Sequence, residues 1–368
     1  MPKEAETYLK SAAISYLHCY DAIKKREKRR ISTVVFAVFF TLCAVISPKT
    51  VSGAVMGAAE KFVRSALPVM LPFAVASGVL VKSGFGEMCR KAVGLPFRAL
   101  LGIDGVFVAP FVLGAVAGFP IGAKTVCELY CRRACTREEA ERALAICSNP
   151  GIGFTVAGVG GVLWNDMRFG VMAWIACLLA SVTVGVIKKR DNAVNRRGLE
   201  FSDDKVGMEF EADLSEEQKE FSVSKAVTEA IREGANTMLA VVVFVAFFNA
   251  VSSIFRGFTV CLGMDAPWFD ALINSFFEFS SGVNALSSVP FFGFGFGQLF
   301  YIDGALIAQV FTVAALAWSG VSVHMQTAGF TASCGLSMGK YYCGKLLSTV
   351  VAPLFFLLTE FVFRCIEL

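Results

Sequence analysis

Few side chains in this chain can do chemistry, and most of them sit among apolar neighbours. With only two histidines, His18 and His324, a multi-histidine metal site is excluded. Most of the twelve cysteines lie inside apolar runs, where Cys behaves as a small hydrophobe. Cys127, Cys131 and Cys135 recur every four residues on one slowly drifting helical face, with no CxxC pair and no histidine nearby. Packing is therefore their expected role, and neither a metal nor another cofactor is expected. The chain has no Gly-rich phosphate loop, HExxH or GxSxG, and no nucleophile has an evident base, so enzyme chemistry and catalytic residues are not expected.

What remains is a set of polar and backbone-breaking residues inside apolar segments. "GFPIGAKT" (Gly118 to Thr125) combines Gly118, Pro120 and Gly122, which relax the backbone and remove a donor, with the cation of Lys124 one turn on. In lipid the freed N–H and C=O groups are costly unless protein or a water-filled cavity surrounds them, so this break predicts a cavity facing new helix N-termini. Glu278 in "FFEFSSG" is an intramembrane carboxylate, readable as a proton carrier, a cation ligand or the partner of Lys124, with a structural ion pair as the plainer role. Ser280, Ser281 and Asn284 follow it at the second break. Ser322, His324 and Gln326 in "SGVSVHMQ" follow a small-residue turn. His324 and Gln326 are two apart and would not share a face of a regular helix, so a distorted backbone is needed to aim both inward. Asn149, before Pro150 and Gly151, reads as the cap of the following half-helix. Asp303 is a weaker candidate, without a break beside it. All of these except Asp303 form the candidate substrate-binding set.

The elements that must position them are membrane helices. A hydrophobic fraction of 55% over 368 residues and a mean hydropathy of +0.62 exceed those of an ordinary soluble domain. Runs near the roughly 20 residues of a span occur at Ile31 to Ser47, Leu67 to Val81, Phe169 to Ile187, Asn236 to Phe255 and Leu346 to Cys365. Broken runs lie at Val106 to Phe119, Gly151 to Trp164, Phe269 to Leu286 and Val289 to Trp318. Most charge sits in "KKREKRR" (Lys24 to Arg30), in Gly122 to Cys147 and in Lys188 to Lys225; Lys and Arg beside spanning helices read as cytoplasmic flanks, and the net charge of +4 does not call for a nucleic-acid partner. The N-terminus lacks a cleavage pattern, so the first run is read as a retained helix. Thr136 and Glu139 form a capping box opening a helix over Arg137 to Cys147, read as an interfacial strut with an apolar stripe at Ala140, Ala143, Leu144 and Cys147.

Three pairs of segments match in order: Ala58 to Leu80 with Val227 to Asn249, Leu113 to Ala123 with Phe277 to Ser287, and Ile146 to Gly158 with Ala317 to Gly329. Charge places Gly122 to Cys147 inside, which makes Val106 to Phe119 re-entrant. The segment Ser322 to Lys345, with only Lys340 and Lys345, is assigned to the outer side. The expected fold is an all-α polytopic membrane protein with two inverted-topology repeats whose re-entrant or broken helices meet at the bilayer midplane. Its organisation is an N-terminal arm and first helix over 1–50, a first repeat over 51–187, a polar cytoplasmic loop over 188–222 and a second repeat over 223–368.

"GFPIGAK", "REEAERALAICSNPGIGF", "EFSSG" and "SGVSVHMQ" together resemble the sporulation integral membrane proteins of the YlbJ type, within the nucleoside-recognition or gate-domain group, over Val51 to Cys365. Phe119 stands where that family usually has Tyr, and Ser319 and Gly320 where it tends to have two glycines. The resemblance implies a spore-forming bacterium and transport of dipicolinic acid into the forespore across the outer forespore membrane. Helix N-termini and Lys124 suit a dicarboxylate solute, and the lipid bilayer is the other expected partner; the oligomeric state is left open. Two alternatives stand beside this reading. One is a transporter of nucleosides or other small metabolites, and the other a non-transporting scaffold that recruits a partner through the loop at Lys188 to Lys225, which is charged and poor in aromatics.

Overall fold

The computed structural model describes residues 30–195, 222–291, 294–296 and 300–367. Apart from one short antiparallel ribbon, the regular structure among these residues is helical. Among the described residues, five helices are long and apolar enough to cross a membrane: Pro48–Lys82, Met167–Lys189, Val223–Cys261, Gly304–Cys334 and Gly339–Phe363. The pair Phe85–Leu101 and Gly105–Ala117, bent by 109°, would make a sixth if taken as one span. The multi-pass class expected from hydropathy is therefore present. Four of the five expected spanning runs coincide with these helices, the last of them running two residues past Phe363, while the first forms the shorter helix α1, Arg30–Ile46. The arm before α1, and residues 196–221 of the polar loop, lie outside the described residues.

The chain divides into two compact units, Met1–Gly53 and Ala54–Leu368. In the first, α1 carries exposed apolar side chains on all sides, among them Ile31, Val34, Val38 and Leu42, as a helix in lipid does. The second unit holds the elements after Gly53. Helix α2 (Pro48–Lys82) runs for 35 residues. It passes through a π-helical turn, Phe62–Ala66, just ahead of Pro68 and Pro72, where missing donors and ring bulk disturb regular α-helical bonding. The amphipathic helix α3 (Phe85–Leu101) follows. Its last carbonyls are gripped by cations from distant helices: Arg142 donates to Leu101 O and Gly102 O, both at 2.9 Å, and Lys189 donates to Ala99 O. Cations at a helix C-terminus also meet the negative end of its dipole.

Two helical hairpins and two broken helices follow. Helices α4 (Val108–Ala117) and α5 (Ile121–Cys131) fold back through Gly118, Phe119 and Pro120. Helix α6 (Arg137–Cys147) opens on the expected Thr136–Glu139 capping box. Every residue from Ala140 to Cys147 is buried, so α6 enters the protein as a half-helix and is not an interfacial strut. Its Cys147 carbonyl lies between α4 and α5: a Cβ on Gly114 or Gly122 would come within 2.0 Å of that oxygen. After Ser148 to Gly151 the chain resumes as α7 (Gly153–Leu163), which is wound as a π-helix, and returns as α8 (Met167–Asn195). Helix α9 (Val223–Cys261) leads to the second hairpin, α10 (Pro267–Phe277) and α11 (Phe279–Leu286), turned at Glu278. Strands β1 (Phe294–Phe296) and β2 (Phe300–Ile302) form the ribbon, with Gly295 opposite Tyr301. Helix α12 (Gly304–Trp318), capped by Asp303, breaks at Ser319 and continues as α13 (Gly320–Cys334), and α14 (Gly339–Glu367) closes the chain.

Contacts at the helix ends fix their directions. Lys82, at the end of α2, pairs with Glu229 at 3.2 Å and Glu233 at 3.0 Å near the start of α9, so these helices are antiparallel. Arg168, near the start of α8, reaches Glu360 near the end of α14 at 4.0 Å, and Lys188 at the other end of α8 donates to Lys340 O. Those helices are antiparallel as well. Lys340 also pairs with Glu138 at 3.7 Å, and Ser337 N donates to Glu141 at 3.0 Å. The connection between α13 and α14 therefore lies on the same side as the start of α6 and Lys188, which corrects the assignment of Lys340 and Lys345 to the outer side. The reason is that α12 and α13 together cross the protein, so α13 carries the chain back; two lysines gave too weak a charge bias to reveal this. Lys345 is not in a loop at all but buried in α14.

Candidate solute site at the helix breaks

Each hairpin tip touches the nearby helix break at backbone distance. Gly118, at φ +82°, is so close to the second loop that a Cβ there would lie 2.6 Å from Gly151 N. Gly320, at φ +75°, approaches the second tip in the same way, its Cβ position 2.9 Å from Phe279 N. Both positions combine left-handed backbone with absent space, so only glycine fits. The two tips then meet through their aromatic rings: Phe119 and Phe279 are edge-to-face at 5.7 Å, with Phe154 of α7 at 5.3 Å from Phe279.

Lys345 sits at this junction. Its residue is 2% exposed, its ammonium donates to Ser148 O at 3.2 Å, and it stands 4.9 Å from the centroid of the Phe119 ring. One turn earlier on α14, buried Tyr341 bonds His324 Nδ1 at 2.9 Å. Ser348 lies one turn later, so Tyr341, Lys345 and Ser348 form a polar stripe at helical spacing in an otherwise apolar helix. Ser181 of α8 donates to Asn149 Oδ1, and Asn149 Nδ2 donates to Ile146 O at 2.8 Å. Asn149 therefore secures the end of α6; it does not cap the helix after it. Among the described residues Ser148 Oγ, Thr155 Oγ1, His324 Nε2 and Ser348 Oγ are buried without a hydrogen-bond partner.

At the second tip, Glu278 is 0% exposed and accepts from Ser280 N at 3.1 Å, Ser281 N at 2.7 Å and Ser280 Oγ at 2.8 Å. It is the N-cap of α11, and its own carboxylate occupies the anion position at that helix N-terminus. Asn284 lies a turn further on, its carbonyl accepting from Ser287 and Ser288. On α13, Ser322, His324 and Gln326 are all buried, with Gln326 Nε2 at 3.4 Å from Ser322 Oγ. No distortion within α13 is needed for this, because α13 is enclosed by neighbours on more than one side, packing on α5, α9 and α10.

Of the readings open for Glu278, pairing with Lys124 is not what the structure shows. Lys124 lines a groove of about 430 Å³ between α2, α5 and α9, and pairs with Glu128 at 3.6 Å and Glu233 at 3.8 Å. The groove shares Glu233 with Lys82, and its size is that of a small-molecule site. Gly118, Pro120, Asn149 and Glu278 thus belong to the tips and breaks, Ser322, His324 and Gln326 to the adjoining half-helix, and Lys124 to the groove. Among the described residues no group of His, Cys, Asp and Glu could hold a metal ion. Burial pushes the Cys135 thiol up to about 12, in keeping with a packing role. Sequence reasoning missed Lys345, Tyr341 and Ser181. The stripe Tyr341, Lys345, Ser348 was the available signal, and the nearby Lys340 masked it by making Lys345 look like part of a charged flank.

No protein-family model matches the chain, and no solved structure matches it. A curated relative does: the chain is 25% identical over 362 residues to "Sporulation integral membrane protein YlbJ" of Bacillus subtilis (strain 168), covering 89% of this chain and 83% of the relative. The chain is a homologue of that protein. It is a multi-pass integral membrane protein, and the similarity to YlbJ spans nearly all of it, including segments on both sides of the polar loop.

Proposed function

We propose that this chain transports a small anionic solute across a membrane, with dipicolinic acid, moved into the forespore during sporulation, as the favoured solute. The architecture belonging to this reading is two inverted-topology halves, over 51–187 and 223–368, meeting near the bilayer midplane. The observation that carries it is the convergence of two hairpin tips and two helix breaks, with the buried Lys345 held against the first tip and the first break. Irregular backbone at membrane depth is tolerated only where protein or a water-filled cavity supplies its partners, and helices interrupted in corresponding parts of two halves are the mark of solute sites in transporters. Element order adds support, since α2, a hairpin, a broken helix and α8 recur as α9, a hairpin, a broken helix and α14, with α2 antiparallel to α9 and α8 to α14.

Sporulation enters through the name of the relative. Dipicolinic acid, the outer forespore membrane and a cytoplasmic N-terminus belong to the proposal through the family resemblance and the charge of the flanks. A buried ammonium favours an anion over a nucleoside. Purified protein in proteoliposomes should take up labelled dipicolinate in preference to nucleosides. Uptake of nucleosides alone would replace the solute class, and no uptake of either would return the chain to a scaffold role.

A further inference from the structure

We propose that Lys345 binds a carboxylate of the transported solute, with Ser148 Oγ, Ser348 Oγ and His324 Nε2 as neutral groups of the same subsite; this rests on the transporter reading. An ammonium carries three donors, and Lys345 spends one on the Ser148 carbonyl and faces the ring of Phe119, with no carboxylate among the described residues paired to it. Burying a charge this way is costly unless a counter-charge arrives. Holding the end of α6 does not account for a lysine here, because Asn149 already takes the Ile146 carbonyl and a neutral donor would serve Ser148.

The surrounding orphans complete the case. Ser148, Ser348 and His324 come from α14 and from two other parts of the chain, the end of α6 and α13, and each leaves one polar atom unpartnered in the buried interior. Tyr341 holds His324 by Nδ1, which leaves Nε2 on the other edge of the ring, and His324 lies within electrostatic reach of Lys345. The acid at the tips, Glu278, is committed to its own helix and does not neutralise Lys345. A carboxylate would take the free ammonium donors and accept from the hydroxyls. It would also sit against the first tip, through Phe119, and the first break, through Ser148.

The test is equilibrium binding of dipicolinate and, separately, of benzoate to the purified full chain in detergent, comparing wild type, Lys345→Met and, as a charge-matched control on exposed α3, Lys91→Met. Loss of charge-assisted bonds should weaken carboxylate binding by roughly ten- to a hundredfold in Lys345→Met, with Lys91→Met like wild type. Unchanged binding by a folded Lys345→Met overturns the subsite and leaves the transporter reading standing. Benzoate bound through Lys345 without dipicolinate binding supports the subsite and removes dipicolinate as the solute, whereas a wild type that binds neither carboxylate overturns both. Should Lys345→Met not fold, Ser348→Ala decides: weaker binding supports the subsite, and unchanged binding overturns it.

Discussion

Replacing Glu278 should separate a structural role at the second tip from a role in handling the solute. The carboxylate is fully buried and accepts from two backbone N–H groups and one hydroxyl at 2.7 to 3.1 Å. Loss of an N-cap alone costs about 0.5–2 kcal/mol, and hydrogen bonds to a charged group contribute about 1.5–3 kcal/mol each. Ser280 and Ser281 are only partly buried, so water recovers part of the loss after truncation. Glu278→Ala should therefore destabilise the protein by about 2–4 kcal/mol, and Glu278→Gln, which keeps one acceptor, by about 1–2 kcal/mol. Thermal unfolding in detergent should show a midpoint lowered by about 3–5 °C for the alanine variant and by less for glutamine. Transport measured below both midpoints should survive in Glu278→Gln, because the glutamine carbonyl still caps α11. The reasoning is refuted if Glu278→Ala melts with wild type. It is refuted equally if Glu278→Gln melts normally but carries no solute, which would make the charge itself part of transport.

Gly122→Ala would place a Cβ 2.0 Å from the Cys147 carbonyl oxygen, a contact that only backbone movement can relieve; a loss of about 3 kcal/mol or more is expected, read as a lower melting midpoint or poor yield of folded protein. Cysteine labelling at Lys340 and at Glu138 should be accessible from the same side of the membrane, since their side chains pair at 3.7 Å, with Asn165 reacting from the other side. Labelling of Lys340 and Glu138 from opposite sides would overturn the course of α12 and α13. Arg142→Met removes two 2.9 Å bonds to the end of α3 and should cost about 2–4 kcal/mol, with faster hydrogen exchange in the last turn of α3 as the local signature.

The membrane class and the first hairpin were legible because they rest on local signals: hydropathy over a span, and a Gly-Pro-Gly cluster within five residues. The Thr136–Glu139 capping box was legible for the same reason, its bonds closing within three residues. Glu278 could be located but not understood, because capping depends on where the backbone turns, and the turn falls at that residue. Asn149 reads equally well as the cap of either neighbouring helix, and Ser181, 32 residues away, fixes its orientation. Lys345 was illegible as a site residue, since burial is set by the helices packed around α14, and a lysine five residues after another lysine looks like a flank. The ties of Arg142 and Lys189 to α3 span about 40 and 90 positions and leave no pattern in the chain.

The Cys147 carbonyl wedged between Gly114 and Gly122 has a mechanical consequence. Side chains give when pushed, by changing rotamer, but here main chain bears on main chain with nothing compliant between. The hairpin α4–α5 and the half-helix α6 are thus stiffly coupled, like a wedge seated in a slot, and Gly118 against Gly151 tightens the same joint at its far end. A displacement at Ser148, where Lys345 is attached, would carry to the tip of the hairpin with little slack, so occupancy at one small point can act on an entire three-helix body.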